Sequence, residues 1–391
     1  MSLRSLQIID SLGMGGAETW LMEVLRLWSR NGTAHMDFVA TSGRPGVFDE
    51  EARALGATIH YIRYGRTNMK AFARDFRKVL REGHYDAMHN HQDFASGWHF
   101  LIGSGVLPPV RITHVHNPAY QMHNNYGVTF TRRCVAKAGK ALVAQYATHI
   151  RGTSHQVINE YGFGGPAFRH ISIGASYCGF EVARFKNDAT DVRTSILEEF
   201  QWPPDALVVL FVGRIDSSPD PRHPQAHKNA GFAVDVAVAA ARRDPRTRLL
   251  LAGALSPAVP LLQRRIADAG LAGNIRFIGV RRDVERLMSG ANVLLFPSRG
   301  EGLGMAAVEA QAAGLPILAS DAVPREAEVI PELIHFKSLN SGAESWAETL
   351  LALTKQPRYP GANEIVAASP FSIDNSAKAL ELLYASKVEC Q

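Results

Sequence analysis

Short apolar runs alternate with longer amphipathic ones along the whole chain, and the series starts afresh midway. In the first half "LQIID", "HMDFVA", "ATIHYI", "YDAMH", "VRITHV" and "THIRG" read as strands. Helical stretches such as "AETWLMEVLRLWSR" and "MKAFARDFRKVLRE" lie between them. The second series begins at "ALVVLFVG" and runs through "RLLLAG", "NIRFIG", "NVLLFPS" and "LPILAS". Strands separated by helices of about 10–15 residues predict right-handed βαβ units, and so two α/β domains with parallel sheets. The stretch "EVARFKNDATDVRTSILEEFQWPPDA" between the series is charged and ends in Pro203-Pro204, which puts the boundary near residues 182–205. The first domain is therefore taken as residues 1–180 and the second as 181–369. The final "SIDNSAKALELLYASK" is helical in pattern and has no strand of its own. Folds of this kind bind ligands at the carboxyl ends of their strands, so a cleft between the two domains is expected to hold the site.

At 391 residues each domain is long enough to bury a core, and 46% apolar with 20% charged residues is ordinary for a globular chain. No apolar run reaches the roughly 18 residues of a membrane span, and "MSLRSLQIID" lacks the apolar core of a signal peptide. Cys134, Cys178 and Cys390 are odd in number and scattered, which predicts reduced thiols and a cytoplasmic location. The net charge of +5 favours anionic partners without choosing among phosphate, nucleic acid and lipid headgroups. That excess is uneven, because Phe94 to Asn159 holds no Asp or Glu while carrying Arg111, Arg132, Arg133, Lys137, Lys140 and Arg151. Arg133, Lys137 and Lys140 share helical spacing beside an apolar face. Two readings stay open for them: a solvated helix face, or a landing patch for an anionic membrane or a diphosphate lipid.

Four motifs could carry chemistry. In "IIDSLGMGGAETWLMEV" a strand leads through Gly13, Gly15 and Gly16 into a helix, so the turn either is merely tight or offers backbone N–H groups to an anion. In "LFVGRIDSSPDPRHPQAHKNAGF", Gly213 and Arg214 end a strand and Lys228 precedes the next helix. Two cations there suit a diphosphate, or are ordinary surface charges. The third motif is a histidine set: His84, His89, His91, His99, His114, His116 and His123. "HNH" and "HVH" each end a strand, a spacing that metal hydrolases also use. No D-x-D tripeptide occurs, which argues against a metal carried on a diphosphate by paired aspartates. In the fourth, "EGLGMAAVEAQAAGLP", Glu301 precedes a helix and Glu309 lies inside it. Free N–H groups at Gly302, Leu303, Gly304 and Met305 could hold a phosphate, while the carboxylates accept hydrogen bonds from hydroxyls on either side. Phosphate between two sets of hydroxyls describes a nucleoside diphosphate sugar.

"FPSRGEGLGMAAVEAQAAGLPILASDAVPREAEVI" resembles the E-x7-E signature of family-4 retaining glycosyltransferases with the GT-B fold, in the wording of the capsular and exopolysaccharide branch. "MGGAE", "ITHVHNP", "RGTSHQV", "CGFEVARF", "VGRID", "HKN" and "NIRFIGVRRDV" follow in the family's order, so the resemblance covers nearly the whole chain. It implies two Rossmann-like domains facing each other across a cleft, with a last helix, about 370–391, crossing back to the first. It also implies a nucleotide-sugar donor with no other cofactor, no metal, a saccharide or lipid-linked acceptor, and no nucleic acid. Arg214 and Lys228 would bind the diphosphate beside Gly213, and Gly15 and Gly16 would close on the donor or acceptor. Glu301 would hold the sugar hydroxyls, Glu309 the ribose, and His116 would reach the sugar from the first domain. The base would lie along Gly279, Val280 and Arg281. Two departures stand out: the Arg-to-Lys loop "IDSSPDPRHPQAH" is longer than the family's, and Glu181 replaces a common Asp. Two other classes remain alternatives: a metal-dependent hydrolase using His89, His91, His114 and His116, and a non-catalytic nucleotide-sugar-binding subunit.

Overall fold

The computed structural model describes residues 3–65, 67–121, 129–186 and 189–386; His123 and Cys390 lie outside them. The chain divides into two compact units, Met1–Phe180 with Pro370–Gln391, and Glu181–Ser369.

The first unit is built on β1 (Leu3–Ile9), β2 (Ala34–Ala40), β3 (Ile59–Tyr61), β4 (Ala87–Asn90), β5 (Val110–Val115), β6 (His149–Gly152) and β7 (Ser172–Ala175). They form one seven-stranded sheet in the order β3-β2-β1-β4-β5-β6-β7, and each described pairing is parallel. The second unit holds β8 (Leu207–Val212), β9 (Thr247–Ala252), β10 (Ile275–Gly279), β11 (Val293–Phe296), β12 (Ile317–Ser320) and β13 (Ile334–Lys337). These make a six-stranded sheet ordered β10-β9-β8-β11-β12-β13, again parallel throughout. Both sheets reverse strand order once, between β1 and β4 and between β8 and β11. A crevice opens at such a reversal, beyond the strands' carboxyl ends, because the flanking connections leave in opposite directions.

Inner strands of parallel sheets are covered on both faces and so read as continuous apolar runs. The second unit obeys this closely: Val209, Leu249, Leu251, Val293, Leu295 and Leu318 are fully buried in one core with Trp346 and Leu350. The first unit does so on one face only, where Leu6, Ile8, Met88, Phe100, Val143 and Ile150 pack. Its other face buries Gln7, His89 and His114.

The Ile373–Tyr384 helix is capped by Ser372, whose side chain accepts from the Asn375 N–H. It packs in the first unit against the Gly16–Asn31 helix. Trp20 Nε1 donates to Ser376 Oγ at 2.9 Å, and the Trp28 and Tyr384 rings meet edge-on at 6.0 Å. The charged stretch expected as a boundary instead forms a helix, Ala189–Glu199, inside the second unit. Ile196 and Leu197 are buried there, and Arg193 reaches the Asn292 side chain at 2.6 Å. Among the described residues no helix is long and apolar enough to cross a membrane.

Candidate active site

The reversal between β8 and β11 gathers the second unit's candidate residues. Gly213 follows β8 with φ 157°. A Cβ there would press on the Lys228 side chain at 3.3 Å, so a larger residue would displace that lysine. Lys228 Nζ lies 2.7 Å and 2.8 Å from the two carboxylate oxygens of Glu301. The Glu301 side chain is 9% exposed and that of Lys228 32%. Arg214 is exposed, and its guanidinium makes no hydrogen bond or ion pair among the described residues. One cation is thus neutralised by a sequence-distant carboxylate and the other is available.

Asp216 fixes this arrangement, and sequence reasoning overlooked it. Its carboxylate accepts the N–H of Lys228 and of Ala230, each at 3.1 Å, while its own carbonyl accepts from Ser256 Oγ. The Ala230–Arg243 helix is therefore capped from across the Pro-rich loop, because Asn229 at its N-cap position provides no side-chain cap. The loop is tied down elsewhere: Arg299 donates to the His223 carbonyl at 2.9 Å and Arg265 to that of Pro219 at 3.2 Å. The available signal was the "RID" triplet directly after the strand.

Beyond β11 the chain turns through Gly302 and Leu303 to Gly304, whose φ of 98° favours glycine. A Cβ at Gly304 would also crowd Val323 and Phe296. The Met305–Ala312 helix starts there without a side-chain cap, so its first N–H groups are open to an anion. Glu309 lies within this helix. It keeps some exposure, yet loss of water around its carboxyl pushes the pKa up to about 7. Gly279 has a positive φ of 68°, and the Val280 side chain is 59% exposed. The Arg281 guanidinium is engaged by Asp283 and Glu199 at 2.8 Å and 2.7 Å, which leaves the backbone of this segment, rather than that side chain, to meet a ligand.

In the first unit Gly15 caps the Gly16–Asn31 helix, and Glu18 folds back over it so closely that a Cβ on Gly15 would clash with the carboxylate. Burial raises the Glu18 pKa. On β4 and β5 (His89, His114) and just beyond them (His91, His116), four of the expected histidines come together. His89 Nε2 and His114 Nδ1 are 3.0 Å apart, and His91 Nδ1 and His116 Nε2 2.8 Å. The Trp20 indole stands edge-on to His89, His91 and His114. Burial holds His89, His91 and His114 well below the usual histidine range and His116 down to about 4, so all four are neutral near pH 7. His99 lies apart from them, bonded to Asn90 at 2.9 Å and lowered to about 3. His84 ends the Met69–Gly83 helix in the left-handed region and belongs to neither group.

One potential ligand atom each from His89, His91 and His114 lies within 4.8 Å of the others, the spacing of a metal site. However, the nitrogens that face one another are spent on hydrogen bonds within the set. No carboxylate is among its hydrogen-bond partners to offset a divalent charge in so buried a place. The arrangement suits a neutral hydrogen-bonded layer better than a metal.

The basic segment divides in two. Arg111 and Arg151 donate to backbone carbonyls of Tyr146 and Ser172, and Lys140 donates to that of Tyr161 at 2.7 Å. Lys140 therefore turns inward and does not share a free face with Arg133 and Lys137. Those two remain exposed on the Phe130–Tyr146 helix, beside Val135 and an 81% exposed Phe130. Cys134 there is exposed and Cys178 is buried, and both are free thiols.

Comparison with known proteins follows the same division. Residues 14–161 match the model described as Glycosyltransferase Family 4 and residues 206–356 the one described as Glycosyl transferases group 1. The chain is 26% identical to EpsF of Bacillus subtilis (strain 168) over 387 residues, covering 97% of this chain and 96% of EpsF. It is 25% identical to the capsular polysaccharide biosynthesis glycosyltransferase CapH of Staphylococcus aureus, over 98% of this chain and 99% of CapH. Among solved structures, Alr3699/HepE of Anabaena in complex with UDP and glucose superposes with a TM-score of 0.76 at 18% identity, over 98% of this chain and 100% of that one, which is a likeness of fold.

Proposed function

This chain is a glycosyltransferase with the GT-B fold, a family-4 domain followed by a group-1 domain, and we propose that it transfers a sugar from a nucleoside diphosphate sugar to a saccharide or lipid-linked acceptor with retention and without a metal. CapH, by its name, serves capsular polysaccharide biosynthesis, and the acceptor of this chain is accordingly a growing cell-surface polysaccharide. The observation that carries the reading is the Arg214, Lys228 and Glu301 group beside the open N-terminus of the Met305–Ala312 helix. Arg214, Lys228 and the helix N–H groups take the diphosphate, and their fixed positive potential stabilises it as it leaves. Glu301 accepts hydrogen bonds from the sugar hydroxyls and Glu309 from the ribose. The departing phosphate takes the acceptor's proton on the same face. Arg133, Lys137 and Phe130 form a face for an anionic membrane, where a lipid-linked acceptor would be presented at its cytoplasmic side.

HepE was crystallised with UDP and glucose, so UDP-glucose is the first donor to test. Thermal shift against UDP, GDP and ADP should raise Tm for one base, since a ligand at 100 times its Kd adds about 2.7 kcal/mol. Transfer should persist in excess EDTA. Activity lost to the chelator and restored by Mn²⁺ or Zn²⁺ would overturn the metal-free mechanism.

A further inference from the structure

The histidine layer of the first unit has a definite polarity, and Gln7 sets it. Gln7 lies on β1 directly beside His89 of β4 and is fully buried. Its Nε2 is 3.1 Å from both Ser5 Oγ and Tyr384 Oη, and its Oε1 is 3.0 Å from His91 Nε2. Ser5 Oγ is also 3.3 Å from the His35 carbonyl, to which it can only donate. Its remaining role toward Gln7 is that of acceptor. Both amide hydrogens of Gln7 are then spent on oxygens, and Oε1 must accept from His91 Nε2–H.

Counting protons outward fixes the rest. A neutral imidazole carries one N–H, so His91 with Nε2 protonated presents a bare Nδ1. That bare nitrogen accepts from His116 Nε2–H across 2.8 Å. His116 in turn is left with an unprotonated Nδ1, which has no partner among the described residues and is not sealed from solvent. The other branch behaves differently. Tyr384 donates to His89 Nδ1 at 2.7 Å and His89 passes its Nε2–H to His114. That branch stops at His114 Nε2, which is buried without a partner.

We infer that Gln7 is a positioning residue: acting through His91, it holds His116 in the tautomer whose bare Nδ1 accepts a hydrogen bond from a substrate hydroxyl. The use of that nitrogen by a sugar or acceptor hydroxyl rests on the glycosyltransferase reading; the tautomer does not. No carboxylate belongs to the chain, so nothing in it stabilises an imidazolium, in contrast to an aspartate-backed histidine base. His116 orients a hydroxyl and does not store its proton.

Long-range ¹⁵N–¹H correlation on full-length protein labelled in its histidine rings reads the tautomer directly, with no ligand present. At pH 7 the expected result is a protonated Nε2 and bare Nδ1 on both His91 and His116. A protonated Nδ1 on His116 in the unsubstituted protein overturns the inference whatever any variant does. Gln7→Met removes the acceptor at nearly constant volume and should mix the His116 tautomers. Tyr384→Phe cuts the His89 branch and one of the two Gln7 amide contacts; Ser5 Oγ still holds the amide in its direction, so His116 should be unchanged. A folded Gln7→Met protein with an unaltered His116 spectrum would also overturn it. Gln7→Met should lower kcat for transfer about tenfold with little change in KM, the loss of one neutral hydrogen bond in the transition state. Stoichiometric Zn²⁺ that shifts the rings of His89, His91 and His114 together would replace the layer with a metal site. If no donor binds yet the tautomers are as stated, the functional reading fails while the polarity of the layer stands.

Discussion

The two sheets share a strand order but treat polar groups at the reversal point in opposite ways. The first unit buries neutral imidazoles that hydrogen-bond in pairs, and the pKa values of His89, His91 and His114 fall because charging any one would leave a buried cation without a counterion. The second unit keeps its inner strands apolar and places charge just beyond them, with Lys228 closed on Glu301 and Glu309 pushed towards its neutral form. A layer of neutral groups holds its hydrogen bonds without waiting for a ligand's charge. An ion pair is a provisional solution, because an anion can take the lysine away.

The sharpest separation of the units is expected from pH. The lowered histidines stay neutral in the fold while the unfolded chain takes up protons near the ordinary histidine value of 6.5. Stability of the first unit is therefore full above that value and falls as pH drops towards about 4. The loss approaches tenfold in the unfolding constant per histidine per pH unit. Hydrogen exchange at pH 7 and pH 5 should show protection lost first in β1, β4 and β5; equal loss in β8 and β11 would erase the contrast.

Next in size, Arg214→Ala should weaken nucleoside diphosphate binding by about 2–5 kcal/mol while leaving the plain nucleoside unaffected. Calorimetry showing the same loss for both ligands would mean that Arg214 supports folding. Glu301→Gln should lower kcat about 100-fold with a modest change in diphosphate affinity, as for a contact made in the transition state.

Glu309 should give the opposite pH sign from the histidines. Its folded pKa is raised from 4.5 to about 7, so the unfolded chain ionises first and its contribution to stability falls as pH rises through that window. Glu309→Gln should flatten this part of the Tm profile and weaken ribose-bearing ligands but not 2′,3′-dideoxy nucleotides. A dideoxy nucleotide that responds equally would remove the ribose assignment. The smallest effect is at the surface. Reversing Arg133 and Lys137 to Glu should release the protein from anionic vesicles by about 1 kcal/mol per residue, and only at low salt. Lys140 is unsuitable for this test because its ammonium supports the Tyr161 carbonyl.

How much of this was readable beforehand depended on whether the cause was local. Inner strands such as "ALVVLFVG" and "LPILAS" declare themselves because both faces are covered. The edges β7 and β13 escaped notice: each is four residues long, and "SIGA" and "IHFK" mix apolar with small or charged residues. The Ala189–Glu199 helix resembled a linker because its buried positions are few. Within the site, the glycines flanking Leu303 revealed that Glu301 precedes a helix and Glu309 belongs to it. The Lys228–Glu301 contact spans 73 positions, and only the adjacency of β8 and β11 brings it about. Asp216 reaches 12 and 14 residues forward, farther than any local capping rule extends.

The closed Lys228–Glu301 contact also bears on the sequence of events in a catalytic cycle. While the lysine occupies both oxygens of Glu301, that carboxylate has little left to offer a sugar hydroxyl. On the proposed function, a diphosphate that draws the ammonium off would free Glu301 at the same moment, and the nucleotide half of the donor would license recognition of its sugar half. If UDP-glucose is the donor, glucose alone should then show no saturable binding, and glucose with UDP present should. After transfer the contact would re-form behind the departing diphosphate, and the protein itself would compete for the ground its product is leaving.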